Sequence, residues 1–135
     1  MGTVRTASCS CGKVSISLEG EPVRISVCHC LACQRRTGSV FGTQARFPLS
    51  AVQRIDGAPR TYRRIADSGT ALDFHFCPDC GSTVWYEVAD QPDLVAVPVG
   101  AFADPEFPGP RVSVYESRRH GWVRDPDGPG VTHHD

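Results

Sequence analysis

The chain holds seven cysteines in three short groups, C9-S-C11-G, C28-H-C-L-A-C33 and C77-P-D-C80-G. In a C-x-x-C-G turn the two thiolates converge on one metal, and the glycine permits the tight turn that aims backbone N–H groups at the sulfurs. A C-x-C pair does the same from an extended chain, because residues i and i+2 face one side. Cys9, Cys11, Cys77 and Cys80 therefore supply four thiolates, a complete tetrahedral zinc site. Cys28, Cys30 and Cys33 supply three ligands and leave the fourth position open, which is the pattern of a catalytic zinc. Two plainer readings of that cluster stand beside this one. A histidine, His29 or His75, could close the site, although alternation along an extended stretch turns His29 away from ligands on either side of it. Alternatively, the three are simply buried free thiols, although C-x-C-x-x-C is crowded for core cysteines.

A disulfide framework fits less well. Three cysteines within six positions cannot all pair with one another, and an odd total leaves a spare thiol. The opening MGTVRTASCSCG has neither the apolar run of a secretory signal nor a membrane span. The expected location is the cytoplasm, where thiols stay reduced and clustered cysteines read as metal ligands. A net charge of −1 argues against a globally basic nucleic-acid binder. Only the Arg35-Arg36 and Arg63-Arg64 pairs give that class local support.

The elements that must position these groups are short strands. At 135 residues the chain is expected to form a single small domain. Alternating polarity marks Lys13–Leu18, Val23–Cys28, Val40–Phe47, Thr61–Ile65, Ala71–Phe76, Thr83–Val88, Leu94–Val99 and Val112–Tyr115 as strands. Pro98 indicates an edge strand or a strand end. Residues after Cys30 (LACQRRTG) could make one helical turn, 104–111 is a proline-rich loop, and 124–135 reads as a flexible tail. Phe47, Phe74, Phe76, Trp85 and Tyr86 are core candidates. The fold class is mainly β, with cysteine clusters at strand ends.

CSCG, CHCLACQRRTGS and FCPDCGSTVW occur in this order between about residues 7 and 88, and with them the sequence resembles the glutathione-dependent formaldehyde-activating enzyme family, a group that also includes centromere protein V. Trp122 echoes a late tryptophan of that family. The resemblance implies a tent-like arrangement of antiparallel sheets and two zinc ions per chain. One, on Cys9, Cys11, Cys77 and Cys80, would be structural. The other, on Cys28, Cys30 and Cys33, would be catalytic and labile. It implies as partners a small thiol such as glutathione and a small aldehyde, joined as an S-hydroxymethyl thioether by a carbon–sulfur lyase acting in reverse. A substrate thiolate would then be the missing fourth ligand, since zinc deprotonates bound thiols. Three thiolates already leave Zn²⁺ with net negative charge, so nearby cations are needed. Arg35 and Arg36 follow the cluster and could supply that charge or pair with the carboxylates of glutathione. Thr37, Gly38 and Ser39 could add backbone and hydroxyl donors. Two other classes remain open: a non-enzymatic zinc-held β module that binds protein or nucleic acid, and a thiol redox enzyme resembling the B-type methionine sulfoxide reductases.

Overall fold

The structure is a computed structural model that describes residues 2–135. In chain order it comprises β1 (Val4–Ser8), β2 (Ser15–Glu19), β3 (Arg24–Cys28), α1 (Leu31–Thr37), β4 (Gly42–Pro48), β5 (Val52–Asp56), β6 (Arg60–Ile65), β7 (Ala71–Phe76), β8 (Thr83–Val88), β9 (Leu94–Pro98), β10 (Val112–Val114) and β11 (Thr132–His133). Strand makes up 41% of the chain against a single α-helix, so the domain is mainly β as expected.

Two sheets form. A small one has the order β1-β2-β5, and a large one runs β11-β10-β3-β4-β9-β8-β7-β6. Pairing is antiparallel except at β10, which lies parallel to both β3 and β11. That exception brings Val114 beside Cys28. Pro98 is the last residue of β9, an interior strand between β4 and β8, so it marks a strand end and not an edge.

The alternation along β2 buries Ile16 and Leu18, and these meet Phe47 of β4, Val84 of β8, and Val95 and Val97 of β9. This is the main core, between the small sheet and one face of the large one. Phe102 and Phe107 stack at its edge with ring centroids 4.7 Å apart. On the other face of the large sheet Phe74, Tyr86 and Ala96 form a smaller cluster. Phe47, Phe74, Trp85 and Tyr86 are buried as the sequence suggested, whereas Phe76 is half-buried.

Three strands carry no strong sequence signal: β1, the mostly exposed β5 and the two-residue β11. The 124–135 segment, expected as a tail, contains β11, and the His134 N–H donates to the Ser113 carbonyl at 2.8 Å. Backbone pairing with a strand already in place supplies an order that local composition does not encode.

Candidate metal centres and the adjoining cleft

The four-sulfur group forms where two turns meet. Cys9 and Cys11 lie in the turn after β1, and Cys77 and Cys80 in the turn after β7. Gly12 and Gly81 follow the pairs at φ values of 83° and 81°, a region that costs other residues strain. The Cys9 and Cys11 Sγ atoms are 3.7 Å apart, and those of Cys11 and Cys77 are 3.6 Å apart. A tetrahedron of sulfurs about 2.3 Å from zinc has an edge of about 3.8 Å, so the spacing fits that ion and is far too long for a disulfide. All four Sγ atoms lie within 4.8 Å of one another. Backbone donors are already aimed at the sulfurs, with the Val14 N–H 3.3 Å from Cys9 Sγ. Cys80 is pulled down to about 5, first by the Ser82 backbone N–H and next by that of Cys11. Lys13 and Asp79 at 2.7 Å, and Ser10 and Ser82 at 2.9 Å, tie the two turns together.

The three-sulfur group is built differently. Cys28 ends β3, Cys30 caps the N-terminus of α1 and Cys33 sits within its first turn. The Cys33 N–H donates to Cys30 Sγ at 3.2 Å. The three sulfurs again lie within 4.8 Å of one another. Their titration is divided unequally. Cys30 is driven down to about 2, by hydrogen bonds from Cys28 and then Cys33, helped by the charge of Arg64. Cys28 is pushed up, by its bond to Cys30, its bond to Cys33 and burial. Cys30 is the least buried of the three.

His29 is fully buried, and its Nε2 lies 2.7 Å from Asp125 Oδ1, so its ring is engaged there and is not grouped with the sulfurs. Arg119 Nε is 3.5 Å from the other oxygen of Asp125. Gln34 Nε2 donates to the His29 carbonyl at 2.9 Å, and Gln34 Oε1 meets His120 Nε2 at 3.0 Å. These contacts brace the 28–33 segment from behind. His75 is committed elsewhere, between Glu87 at 2.7 Å and Thr61 at 3.0 Å.

The three sulfurs line one side of a cleft of about 640 Å³ on the face of the large sheet opposite the core. Leu72, Tyr86 and Val88 supply its apolar wall, and Arg24, Arg46, Arg64 and Arg118 its positive charge. Arg35, Arg36 and Ser39 are not among its lining residues. Arg35 and Ser39 are exposed, and the Ser39 N–H is taken by Thr37 Oγ1. Arg36 lies over the Phe74 and Tyr86 rings, 5.0 and 5.5 Å from their centroids. The Cys33 thiol is raised overall: its bond to Cys28 and, least, the charge of Arg36 lower it, but Cys30 and burial outweigh them. Arg64 covers the other side of this aromatic patch, 5.0 Å from Phe74. Arg63 is matched by Asp73 through two bonds of 2.8 and 3.0 Å. The cleft arginines other than Arg64 are absent from the sequence-based candidates. The signal that could have found Arg24 is the R-x-S-x-C alternation of β3, which puts Arg24 and Cys28 on one face.

The sequence matches the family described as glutathione-dependent formaldehyde-activating enzyme over residues 4–118. The chain belongs to that family. Among solved structures, the fold is similar to the crystal structure of a Rhodobacter sphaeroides protein, with a TM-score of 0.57 and 24% identity, covering 74% of this chain and 91% of that one. No curated protein matches the sequence at a significant level. Both cysteine groups could hold metal ions, and their all-sulfur donor sets are compatible with zinc. Among the described residues, no helix is long and apolar enough to cross a membrane.

Proposed function

We propose that the protein is a zinc-dependent enzyme that forms and cleaves the carbon–sulfur bond between a small thiol, such as glutathione, and a small aldehyde, such as formaldehyde. One observation carries the reading. Three sulfurs capable of holding an ion face an open cleft, while the one nearby histidine that could have closed the set is buried against Asp125. An ion at Cys28, Cys30 and Cys33 would supply Lewis acidity, lowering the pKa of a thiol that binds beside it. Cys9, Cys11, Cys77 and Cys80 would hold a second, structural ion, buried at Cys9 and Cys77 and away from the cleft lining.

The chain's own residues then have distinct tasks. Hydrogen bonds from Cys28 and then Cys33, with the Cys33 N–H adding to them, favour Cys30 as a thiolate, and Arg64 and Arg36 offset the negative charge that three sulfurs gather. The Asp125–His29–Gln34 contacts fix the strand-to-helix corner from which the sulfurs project. Leu72, Tyr86 and Val88 keep part of the cleft dry, which strengthens every charge interaction within it. In the addition, the thiol loses its proton, its sulfur bonds to the carbonyl carbon, and the carbonyl oxygen takes up a proton. No redox change occurs. Seven free cysteines suit a reducing compartment such as the cytoplasm.

Uncatalysed addition of thiols to formaldehyde is fast, so net product is a poor readout. Exchange spectroscopy by NMR on the S-hydroxymethyl adduct of glutathione at equilibrium measures both directions. Zinc-loaded protein should raise forward and reverse rates by the same factor, and Cys30→Ser should abolish the increase with circular dichroism unchanged. Wild-type protein that leaves exchange at the background rate across several thiols and aldehydes would remove the enzymatic reading.

A further inference from the structure

The face of the large sheet that floors the cleft carries a second feature besides the sulfurs. Arg24, Ser26 and Cys28 alternate along β3, and Gln44 and Arg46 along β4, so all five point to one side. The register sets Arg24 opposite Arg46 and Ser26 opposite Gln44. Like charges directly opposite each other across an antiparallel pair are destabilising. Arg24 is exposed, yet partial desolvation and then the charge of Arg46 press its guanidinium below its ordinary pKa.

Among the described residues, no carboxylate lies within ion-pairing distance of Arg24 or Arg46, whereas Arg5, Arg54 and Arg63 each have an acidic partner at 2.7 or 2.8 Å. Asp67 and Asp90 border the same cleft without closing an ion pair onto either arginine. Arg46 is steadied by neutral oxygens, Gln91 Oε1 at 3.1 Å and Ser26 Oγ at 3.3 Å, which fix its position and leave its charge unmatched. Between the arginines and the sulfurs, Gln44 is buried with its Nε2 on Ser26 and its Oε1 without a donor. An anion would offset the paired guanidinium charges, and an amide N–H would satisfy the Gln44 oxygen.

We infer that Arg24 and Arg46 form an anion subsite at the end of the cleft remote from Cys28, which takes the carboxylate of a peptidic thiol whose sulfur lies at the Cys28, Cys30 and Cys33 cluster. The inference rests on the reading of this cleft as a thiol site. The four-residue offset along β3 separates the two ends by roughly 13 Å at the level of Cα atoms. Arginine side chains shorten that span. A thiol bearing its carboxylate a residue or two along an extended peptide, about 7 Å away, reaches across what remains, and a short neutral thiol does not. The subsite thus selects for charge and length, with Gln44 reading the amide between them.

Binding can be tested without catalysis. S-methylglutathione carries the carboxylates and amides and lacks the thiol, and its dimethyl ester lacks the carboxylate charge. Calorimetry on the zinc-loaded protein should show the ester bound at least about tenfold more weakly than the acid, in line with a lost charge-assisted hydrogen bond. Arg24→Gln and Arg46→Gln should each weaken the acid by a similar factor and leave the ester unchanged. Arg24→Gln should also raise Tm by about 1–3 °C at low salt, because it removes a like-charge pair, whereas loss of a merely structural arginine would lower it. Equal binding of acid and ester, unaltered binding by both variants, or no binding of S-methylglutathione to wild type overturns the subsite. Charge-dependent binding without exchange catalysis would instead retain the subsite and discard the proposed reaction, and catalysis with no charge dependence would do the reverse.

Discussion

Cys11→Ser separates metal from packing in the four-sulfur site. Cys11 is exposed, whereas Cys77 is fully buried. If the cluster stabilised the fold only as packed side chains, replacing an exposed thiol by a hydroxyl of nearly the same shape would alter stability by no more than about 0.5 kcal/mol. If the cluster binds zinc, the position makes no difference and each sulfur counts. Binding of a structural zinc is worth on the order of 10 kcal/mol or more, comparable to the whole stability of a domain this size. One ligand in four then corresponds to roughly 3 kcal/mol, and the remaining sulfurs are left as mutually repelling thiolates. For a chain of 135 residues that is a fall in Tm of about 10 °C. Thermal melts followed by circular dichroism, with and without a strong chelator, give the answer. Wild type should lose stability on chelation, Cys11→Ser should melt well below it, and chelation should lower the variant's Tm less than that of wild type. A Cys11→Ser protein that melts with wild type, and a wild type indifferent to chelator, would together refute the structural role of metal at these cysteines.

Limited chelation should remove one equivalent of zinc first, from the three-sulfur site, with circular dichroism unchanged, and simultaneous loss of both equivalents with unfolding would contradict an open second site. Docking of β11 should depend on pH through Glu116 and His133, whose carboxylate and ring nitrogen lie 2.7 Å apart. The bond from His133 holds Glu116 at about 2, below its ordinary 4.5, so that contribution is present above pH 4.5 and is lost as pH falls toward 2. The same bond raises His133 above its ordinary 6.5, so its contribution is complete below pH 6.5 and is lost as pH rises through the higher folded value. Hydrogen-exchange protection of the Thr132 and His134 amides should therefore be greatest between about pH 4.5 and 6.5 and lower at pH 8, after correction for intrinsic rates, and equal protection at pH 6 and 8 would count against the pair.

What the sequence reveals depends on whether the determinant is local. The strands Ala71–Phe76 and Thr83–Val88 are read with their observed limits because polarity alternates within each and Gly81 punctuates the turn between them. β1 escapes because VRTAS buries only Ala7, and β5 because QRID is exposed throughout. The four-sulfur set is legible because two local turns each supply a converging pair. The arginines of the cleft divide on the same principle. Arg35 and Arg36 draw attention by following Cys33 directly, yet a helical turn carries Arg35 to the solvent and lays Arg36 over Phe74. Arg46 reaches the cleft only through the pairing of β3 with β4, and Arg118 only because the chain returns to the cleft after β10 pairs with β3, and neither contact is written in a neighbouring residue.

Two clusters of the same element thus acquire different chemistry from their surroundings. At the first, the cysteine turns face each other, so four sulfurs close a polyhedron and backbone N–H groups take up what charge remains. A four-sulfur site of that kind would have no coordination left to offer, and on the proposed reading it serves the fold by joining the small sheet to the large one. At the second, only two residues separate the end of β3 from the start of α1, and among the described residues no fourth sulfur joins the group. Closing the set with His29 would have required its fully buried ring to give up a 2.7 Å bond to Asp125 and leave that carboxylate to Arg119 alone, at a cost of several kcal/mol. On the proposed reading, that penalty keeps the fourth position open. The same alternation that sends His29 into the protein sends Cys28, Ser26 and Arg24 out along the cleft, so the cleft-facing side of the three-sulfur cluster and the unmatched positive charge beside it have one structural origin in the pleat of β3.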